Sequence, residues 1–396
     1  MLLSQQYLKR FSHSFSTFHL LLILGFILLF GLLIAKQKNS FTSPTIKQSA
    51  PAASEIKENA PSIYYISPSG NDGNSGKSST SPWKTIQKAI NIAGPGDTIN
   101  LGSGIYFQDM RTKVNGTADS PITLIGSKDT IIKGGGKTRV FEVNHNNIIL
   151  KGFTIDGLFG DPNKVKGYRD KLLYVQGKGI RSGVTGLKVD GLQLKNAGGE
   201  CLRLRYFAHD NEVTKTTIGP CGVADFKFPS KDKNGEGIYL GTSSNQWNDK
   251  KNPTNDPDGS TRNWIHHNTF NTQGNECLDA KEGSFGNIIE YNKCTGQRDS
   301  DSGGFDSRGD GNIFRHNEIY ENLGTGIRLG GHTVGGVQYG KNNEVYANII
   351  RNNKSGALSI QVLPQGKICE NSMANNGSRM IVGLSNSSIR PDSTCR

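Results

Sequence analysis

The stretch Asn263–Gly331 repeats one phrase three times: NWIHHNTF…ECLDAKEG (263–283), NIIEYNKC…GGFDSRGDG (287–311) and NIFRHNEIYENLGTGIRLGG (312–331). Each phrase opens with an Asn, apolar residues and a second Asn, and closes with a short alternating run that ends in Gly. The opening Asn recurs at 263, 287, 312 and 343, with spacings of 24, 25 and 31 residues. Such periods are typical of solenoids, and short strands with polar turns favour a β-solenoid. The pattern predicts an all-β, single-stranded right-handed parallel β-helix with one phrase per coil.

The composition fits a thin solenoid core better than a disordered chain. The 396 residues include 50 Gly, and only 34% are hydrophobic. The apolar residues fall in short alternating runs, which suits a core lined by one face of each strand. The net charge of +12 favours an anionic partner, although a generally basic surface is the alternative. Because no zinc-finger spacing or nucleic-acid motif is present, the predicted partner is an acidic polysaccharide and not nucleic acid.

The N-terminus predicts a membrane anchor. Residues 18–36 contain an apolar run that is interrupted by His19 and followed by lysines, and the run is long enough to span a bilayer as a helix. No small-x-small cleavage site follows, so an uncleaved signal anchor is favoured over a cleaved signal peptide. The predicted organisation is a cytoplasmic N-terminus (1–17), a transmembrane helix (18–36), a flexible stalk (37–61) and a β-helix domain (62–396). The bulk of the chain is then extracytoplasmic, in the periplasm or at the cell surface, and we expect a monomer.

The folded domain opens with a strand, a turn-rich loop and an amphipathic helix. IYYIS (63–67) alternates as a strand, and WKTIQKAINIA (83–93) places Ile86, Ala89, Ile90 and Ala93 on one helical face. The first coil of a solenoid has to be shielded from water, which predicts that this helix is its N-terminal cap. The phrases YYISPSGNDGNSG, SPWKTIQKAI and PGDTINLGSGIY resemble the N-terminus of extracellular bacterial right-handed β-helix proteins, including pectate-lyase-like ones. The resemblance implies the fold but no activity, because enzymes and binding proteins share this cap.

Two insertions and six cysteines stand out from the coil pattern. The insertions, at Leu158–Lys171 and about Gly241–Thr261, are expected to build a binding cleft on one side of the solenoid. The cysteines, paired in sequence order, are 201–221, 277–294 and 369–395, each pair separated by about one coil. Neighbouring strands lie about 4.8 Å apart, so these pairs are close enough to form disulfides outside the cytoplasm. Free core thiols and other connectivities are the alternatives.

Aligning the strand phrases on their apolar pairs predicts which side chains face outward. The pairs expected to point inward are Leu202/Leu204, Ile238/Leu240, Leu278/Ala280, Phe305/Ser307, Ile327/Leu329 and Leu358/Ile360. The outward face then holds Arg203, Arg205, Tyr239, Asp279, Lys281, Asp306, Arg308 and Arg328. On this face Asp279 stacks on Asp306 and Lys281 on Arg308. Stacked like charges are costly between neighbouring strands, which indicates a ligand site; a solvated, self-neutralising charge ladder is the alternative.

The residue types on this face suit β-elimination from a uronic acid. The reaction removes the proton beside the sugar carboxylate, which requires a base and a cation to neutralise that carboxylate. Lys281 is the predicted base, because the charge of Arg308 is expected to push it toward its neutral form. Glu276, Asp279 and Asp306 are the predicted Ca2+ ligands, since calcium prefers oxygen donors. The predicted substrate-binding residues are Arg203, Arg205, Tyr239, Arg328 and His332, the arginines acting through bidentate contacts to carboxylates.

The coils ECLDAKEGSFGNIIEYN, GGFDSRGDGNIFRHN and GTGIRLGGH (between 276 and 332) resemble polysaccharide lyase family six, which includes chondroitinase B and alginate lyases. That family has a Glu five residues before a Lys, an Arg at the same place on the next coil, and then a Gly-Ile-Arg phrase. The matching positions are Glu276, Lys281, Arg308 and Gly326–Arg328. The resemblance implies that Lys281 is the Brønsted base, Arg308 the acid or charge stabiliser, and Glu276 a calcium ligand.

The chain departs from that family in two places. The family's second Glu, two residues before the first, corresponds to Gly274. The interval from Lys281 to Arg308 is 27 residues, longer than expected, and contains the insertion QRDSDSG. Asp299 and Asp301 in this insertion are candidate replacement ligands for calcium.

Other functions stay open beside a polysaccharide lyase. A non-catalytic glycan-binding or envelope β-helix protein would have the same fold and surface. If Asp279 and Asp306 were the acid and base of a glycoside hydrolase, they would lie about 5 Å apart on adjacent coils, too close for the water of an inverting enzyme. The Asp-Pro-His-Asp signature of a mannuronan epimerase is absent. The favoured prediction is a lyase acting on a uronate-containing polysaccharide.

Overall fold

The Asn-punctuated repeat folds as three parallel β-sheets, which the computed structural model describes over residues 60–228, 233–386 and 389–395. The chain visits the three sheets in turn, so each strand pairs with the strands one coil before and one coil after it. Among the described residues, sheet 1 has eleven strands and sheets 2 and 3 have ten each. The predicted all-β parallel β-helix is confirmed, and its right-handed winding stays a prediction.

The strands are short and recur regularly along the chain. The first are β1 (Ile63–Ile66), β2 (Thr98–Leu101), β3 (Gly104–Tyr106), β4 (Met110–Arg111), β5 (Ile122–Ile125), β6 (Thr130–Ile132), β7 (Arg139–Val143), β8 (Ile148–Lys151), β9 (Thr154–Asp156), β10 (Lys171–Gln176), β11 (Lys188–Asp190) and β12 (Gln193–Lys195). The central coils contain β13 (Leu202–Arg205), β14 (Glu212–Thr214), β15 (Thr217–Ile218), β16 (Ile238–Leu240), β17 (Trp264–His266), β18 (Thr269–Asn271), β19 (Leu278–Ala280), β20 (Ile288–Glu290), β21 (Lys293–Thr295), β22 (Gly303–Ser307), β23 (Ile313–Arg315), β24 (Glu318–Tyr320) and β25 (Thr325–Leu329). The last are β26 (Thr333–Val334), β27 (Val337–Gln338), β28 (Glu344–Tyr346), β29 (Ile349–Arg351), β30 (Gly356–Ile360), β31 (Ile368–Cys369), β32 (Ser372–Ala374) and β33 (Ile381–Gly383).

The sheet orders show one strand per coil in each sheet. Sheet 1 runs β1-β2-β5-β8-β11-β14-β17-β20-β23-β28-β31, and sheet 2 runs β3-β6-β9-β12-β15-β18-β21-β24-β29-β32. Sheet 3 runs β4-β7-β10-β13-β16-β19-β22-β25-β30-β33. The remaining pair, β26 and β27, forms a small antiparallel hairpin.

Helical segments lie at the N-terminal end and in the connections. Helix α1 (Ile86–Ile92) buries Ile86, Ala89 and Ile90 and packs against β1, β2 and β4, which confirms the predicted cap. A one-turn helix α2 (Val223–Phe226) and two 3-10 turns, Val165–Gly167 and Ser244–Gln246, lie in loops between coils.

Buried Asn side chains form ladders along the turns. In the ladder between sheets 1 and 2, each Asn Nδ2 donates to the Oδ1 of the next Asn at 2.9–3.1 Å. The backbone N–H of each of these donors bonds to the same Oδ1. The residue before each Asn has a φ of 52–55°, a left-handed bend that the side-chain bonds hold in place. The members of this ladder are Asn268, Asn292, Asn317, Asn348 and Asn371.

Three disulfides cross-link neighbouring coils, in the pairing expected from the sequence order. Cys201–Cys221, Cys277–Cys294 and Cys369–Cys395 have Cα–Cα distances of 5.6, 5.9 and 5.2 Å. Free cysteines are absent from the described residues, so the alternative of free core thiols is wrong.

The register of sheet 3 matches the alignment made from the sequence. Leu202, Ile238, Leu278, Phe305, Ile327 and Leu358 are successive partners in the ladder, and all are fully buried. The side chains between them therefore share the opposite, outward face of the sheet.

The predicted cytoplasmic segment, transmembrane helix and nearly all of the stalk lie outside the described residues. Within the described ranges, none of the helices has the length and apolar character needed to cross a bilayer.

A substitution in the Asn ladder tests whether these hydrogen bonds hold the coils in register. Asn292 Nδ2 donates to Ile265 O and Asn317 Oδ1, while its Oδ1 accepts two bonds from Asn268. Asn292→Ala leaves these buried groups without partners, and we expect the free energy of unfolding to fall by about 3 kcal/mol. Urea titration followed by circular dichroism measures the change. The control is Asn271→Ala at an exposed position of β18 in the preceding coil, with an expected change below about 0.5 kcal/mol; equal losses in the two variants would show that the ladder is not stabilising.

Candidate active site

A cleft of about 490 Å³ lies on the outward face of sheet 3, over β16, β19, β22 and β25. Its floor includes Asp279, Lys281, Arg308 and Arg328. Asp279 is the ladder partner of Asp306, which is the partner of Arg328. The predicted common wall is therefore confirmed: these side chains from successive coils face the same side.

The insertion at 241–261 forms a wall of this cleft, as predicted. Ser243, Asn245 and Gln246 line the cleft. Asp258 anchors the insertion, because its carboxylate accepts bonds from the backbone N–H groups of Tyr206 and Phe207 and from Thr242 Oγ1, at 2.6–2.7 Å.

The charged floor is buried, although it lies on the outer face of the solenoid. Asp279 is 1% exposed, Lys281 3% and Asp306 0%. The interpretation as a solvated charge ladder is therefore wrong for these side chains. The cover formed by the loops removes water, which strengthens each charge–charge contact and makes an unpaired charge costly.

Lys281 lies between two carboxylates. Its Nζ is 2.9 Å from Glu236 Oε1 and 2.5 Å from Asp279 Oδ2, and it lies 3.9 Å from the centre of the Tyr239 ring. Burial and the charge of Arg308 act to lower the pKa of Lys281, but Asp279 and Glu236 outweigh them and raise the pKa above its ordinary value. The expected pKa decrease is therefore wrong in this arrangement, because it considered Arg308 and not Glu236.

Arg308 shares Asp279 with Lys281. Arg308 Nη2 is 2.7 Å from Asp279 Oδ2, so the ammonium and the guanidinium meet at one oxygen atom. Burial alone would raise the pKa of Asp279, but Arg308 and Lys281 hold it below its ordinary value. The two predicted catalytic side chains thus lie side by side on the floor of the cleft.

Arg328 closes the other side of the floor. It is paired with Asp306, and its Nη2 lies 3.5 Å from Glu276 Oε1. Asp306 also accepts the backbone N–H of Gly303 at 2.8 Å. A Cβ at position 303 would lie 2.6 Å from Asp306 Oδ1, so glycine is needed for the close approach of this carboxylate to the backbone.

Glu276 is the carboxylate of the cleft floor whose oxygens are least well satisfied by hydrogen bonds. Its Oε1 accepts from Ser302 Oγ, but its buried Oε2 has no hydrogen-bond partner in the described part of the chain. Burial raises the pKa of Glu276 well above its ordinary value, with further contributions from Asp306, Asp279 and Glu236. We call Glu236, Glu276, Asp279 and Asp306 the carboxylate cluster; it faces three cations, Lys281, Arg308 and Arg328, so one negative charge is unbalanced.

The cluster fits a divalent cation. Carboxylate oxygens of Glu236, Glu276 and Asp279 lie within 4.8 Å of one another, and hard oxygen donors are the ligands that Ca2+ prefers. The unpartnered Glu276 Oε2 is the atom that such an ion would satisfy. Among the described residues this group includes two of the three predicted ligands, Glu276 and Asp279, and has Glu236 in the place of Asp306.

Sequence reasoning missed Glu236. It precedes its strand by two residues, as Glu276 and Glu200 precede theirs, so the alignment of the strand phrases reveals this acidic column when it is extended two residues toward the N-terminus. The alignment did not include the turn before each strand, because side chains alternate between the two faces of a sheet only within the strand.

The other predicted site residues lie around the cleft. Tyr239 lies between two cations, with Arg203 4.0 Å from its ring centre on β13 and Lys281 on β19. Arg205 is buried and binds Asn252 and Asp249. His332 lies further out, with Nδ1 2.9 Å from Glu282 Oε1 and 3.3 Å from Ser244 Oγ.

The candidate replacement ligands in the 297–303 insertion have another partner. Asp299 lines the cleft, and its Oδ1 is 2.6 Å from Lys233 Nζ. Asp301 Oδ2 is 3.3 Å from the same Nζ. Both carboxylates thus pair with a lysine at the edge of the cleft.

Solved structures with the same fold include polysaccharide lyases. An alginate lyase from Paenibacillus sp. str. FPU-7 is similar over 77% of this chain and 96% of that chain, with 20% identity and a TM-score of 0.58. A mannuronic acid specific polysaccharide family 6 lyase from human gut microbiota matches 83% of this chain and 84% of that chain, with 12% identity and a TM-score of 0.44. The match to the alginate lyase confirms the predicted likeness to parallel β-helix polysaccharide lyases at the level of the fold.

Sequence comparison adds one short match. A lacto-N-biosidase of Bifidobacterium longum subsp. longum is 38% identical over 87 residues, which cover 19% of this chain and 5% of that protein. No protein-family model matches the chain.

The uncompensated negative charge at Glu276 predicts a pH-dependent effect on the free energy of unfolding, which can be tested. A carboxyl whose pKa is raised by folding destabilises the fold as the pH rises above its unfolded value of about 4.5. We therefore expect Glu276→Gln to raise the free energy of unfolding at pH 8 in EDTA by about 1–2 kcal/mol, with the gain shrinking toward pH 4. Millimolar CaCl2 is expected to stabilise the wild type and to have a smaller effect on the variant. Thermal unfolding measures both effects, and Glu318→Gln on sheet 2 is the control; a Ca2+ response equal in all three proteins would contradict the assignment.

Proposed function

We propose that the chain is a polysaccharide lyase that cleaves a uronate-containing polysaccharide by β-elimination. The observation that carries the proposal is the meeting of Lys281 and Arg308 on one oxygen of Asp279 at the floor of the cleft, 2.5 and 2.7 Å from it. A proton acceptor and a fixed positive charge are thus side by side where a sugar ring can enter. The fold it shares with an alginate lyase is compatible with this function.

In the proposed reaction the sugar carboxylate is held by arginine. Arg328 and Arg308 are the partly exposed cations of the floor, with 19% of each side chain accessible, and a guanidinium binds a carboxylate through two parallel bonds. Neutral Lys281 takes the proton from the carbon beside the carboxylate. The electron pair of that C–H bond forms the new C=C bond, and the glycosidic oxygen leaves with its electron pair and takes up a proton.

Lys281 must release its proton before it can act as the base. Asp279 and Glu236 keep Lys281 protonated, because their negative charges raise its pKa by more than burial and the charge of Arg308 lower it. Glu236, Glu276 and Asp279 would hold a divalent cation, whose positive charge would neutralise these carboxylates and the uronate. Arg308 then remains as the neighbour that favours the neutral amine, and it stabilises negative charge on the substrate.

A non-catalytic glycan-binding β-helix protein is the second candidate. It is favoured by the same buried pairing of Lys281, which holds the ammonium form. Binding of an acidic glycan needs only the cations and aromatic side chains of the cleft and no proton acceptor.

The proposal includes an extracytoplasmic location and a monomeric protein. Three disulfides between coils support an oxidising compartment. We propose that residues 18–36 anchor the chain in the membrane, on the basis of their hydrophobicity.

An isocharge substitution separates the two candidates. Lys281→Arg keeps the positive charge between Glu236 and Asp279, but a guanidinium stays protonated and cannot act as the base. Full-length wild-type protein is incubated with alginate, polygalacturonate or chondroitin sulfate, with Ca2+ or EDTA, and the absorbance of the unsaturated product is followed. We expect product from one of these polymers in the wild type and at least a 1,000-fold lower rate in the variant.

Controls show whether the variants are folded and still bind the polymer. Arg351→Gln lies on sheet 2, outside the cleft, and is expected to retain wild-type activity. Lys281→Arg is expected to keep the wild-type unfolding temperature within a few degrees and to bind the polymer. Full activity of Lys281→Arg would eliminate the mechanism, and binding without product in the wild type would establish the second candidate.

A further inference from the structure

A second cleft adjoins the first on the same sheet, toward the N-terminal end. It has a volume of about 340 Å³ and lies over β7, β10 and β13. Asn234 and Gln246 line both clefts, so the two form one groove along the solenoid axis. Its lining includes Arg139, Lys171, Tyr174, Arg203 and Lys251.

The second cleft has the opposite charge balance from the carboxylate cluster. Its lining has five cations, the four just named and Arg205, against two carboxylates, Asp170 and Glu200. Glu142 and Asp249 lie behind them and pair with Arg139 and Arg205. Lys178 and Arg111 also interact with Glu142, so seven cations oppose four carboxylates in this part of the face.

Three buried polar atoms of this cleft have no hydrogen-bond partner within the described ranges. One is Glu200 Oε2, which forms an ion pair with Lys171 Nζ at 2.6 Å. The other two are the hydroxyl oxygen of Tyr174, which is 1% exposed, and Nε of Arg203, which is 4% exposed. Tyr174 faces outward, since its ladder partners are Glu142 and Arg203. Buried polar groups normally have hydrogen-bond partners, so these two point to a ligand that supplies them.

Arg139 is a partly exposed cation of this cleft that lies next to Tyr174; Lys251 is also exposed, with its Nζ 3.6 Å from Asp249 Oδ2. The side chain of Arg139 is 29% exposed, and its contact with Glu142 Oε2 is long, at 3.5 Å. The guanidinium lies 3.6 Å from the centre of the Tyr174 ring, so it is next to the side chain that carries the unpartnered hydroxyl. Lys171 and Arg203, in contrast, are engaged by Glu200.

We propose that the second cleft binds the carboxylate of a second uronate residue of the same polysaccharide chain, through Arg139 and the hydroxyl of Tyr174. This inference rests on the proposed function and narrows it to polymers with acidic residues close together along the chain. Tyr174 on β10 is three strand spacings from β19, about 14 Å, and Arg139 on β7 is four spacings away, about 19 Å, which is a span of a few sugar residues. A disaccharide at Lys281 therefore does not reach Arg139, but a hexasaccharide does.

The test measures binding and not cleavage, so that it is independent of catalysis. All proteins are full-length chains with Lys281→Arg as background. The probes are disaccharides and hexasaccharides prepared from alginate and from polygalacturonate, and calorimetry measures their dissociation constants. We expect Arg139→Gln to weaken hexasaccharide binding about tenfold and Tyr174→Phe about threefold, with no change for the disaccharides.

Arg351→Gln is the matched control, because it removes an arginine of similar exposure that is paired with Glu318 on sheet 2. We expect it to leave every dissociation constant unchanged, and unfolding temperatures verify that the variants are folded. Equal hexasaccharide affinity for Arg139→Gln and Arg351→Gln would overturn the proposal, as would an equal loss for both probe lengths or the absence of hexasaccharide binding. If the proposed lyase activity fails, wild-type protein yields no unsaturated product, a result that this binding measurement does not affect.

Discussion

The stacking of one coil on the next is the constraint on which the rest of the structure depends. Each Asn of the ladder gives its side-chain N–H to the next Asn and takes the backbone N–H of the previous one. The left-handed bend is thereby repeated at the same place in the five coils of the ladder, and their strands stay in register. A slip of one residue in a strand would exchange its core side chains for its outward ones, so the site exists only in this register.

Register and loop cover together explain why the site is both charged and buried. The outward positions of sheet 3 would be solvated on a bare solenoid. The insertion at 241–261, held by Asp258, covers them. Because the carboxylate cluster is buried, the charges around each group set its protonation state. Lys281 is held charged, while Glu276 is pushed toward its protonated form.

The two clefts of the groove differ in their balance of positive and negative charges. In the first, carboxylates outnumber cations at the floor, which suits a bound cation and proton transfer. In the second, cations outnumber carboxylates, which suits retention of an anionic chain. Gln246 connects them, since it accepts from Arg203 in one cleft and from Tyr239 in the other. Under the proposed function, substrate position and the protonation of Lys281 are thus both set by neighbouring coils of a single sheet.

The sequence by itself determined the parallel β-helix, the cap helix and the outward face that holds Asp279, Lys281, Asp306 and Arg308. These features depend on strand alternation and on the repeat length, which are written directly in the order of residues. The tertiary structure alone decided that this face is buried, that Glu236 lies 2.9 Å from Lys281, and that the pKa of Lys281 rises instead of falling. Electrostatic effects depend on the distance between charges and on the exclusion of water, and both were set by loops and coils far apart in the chain.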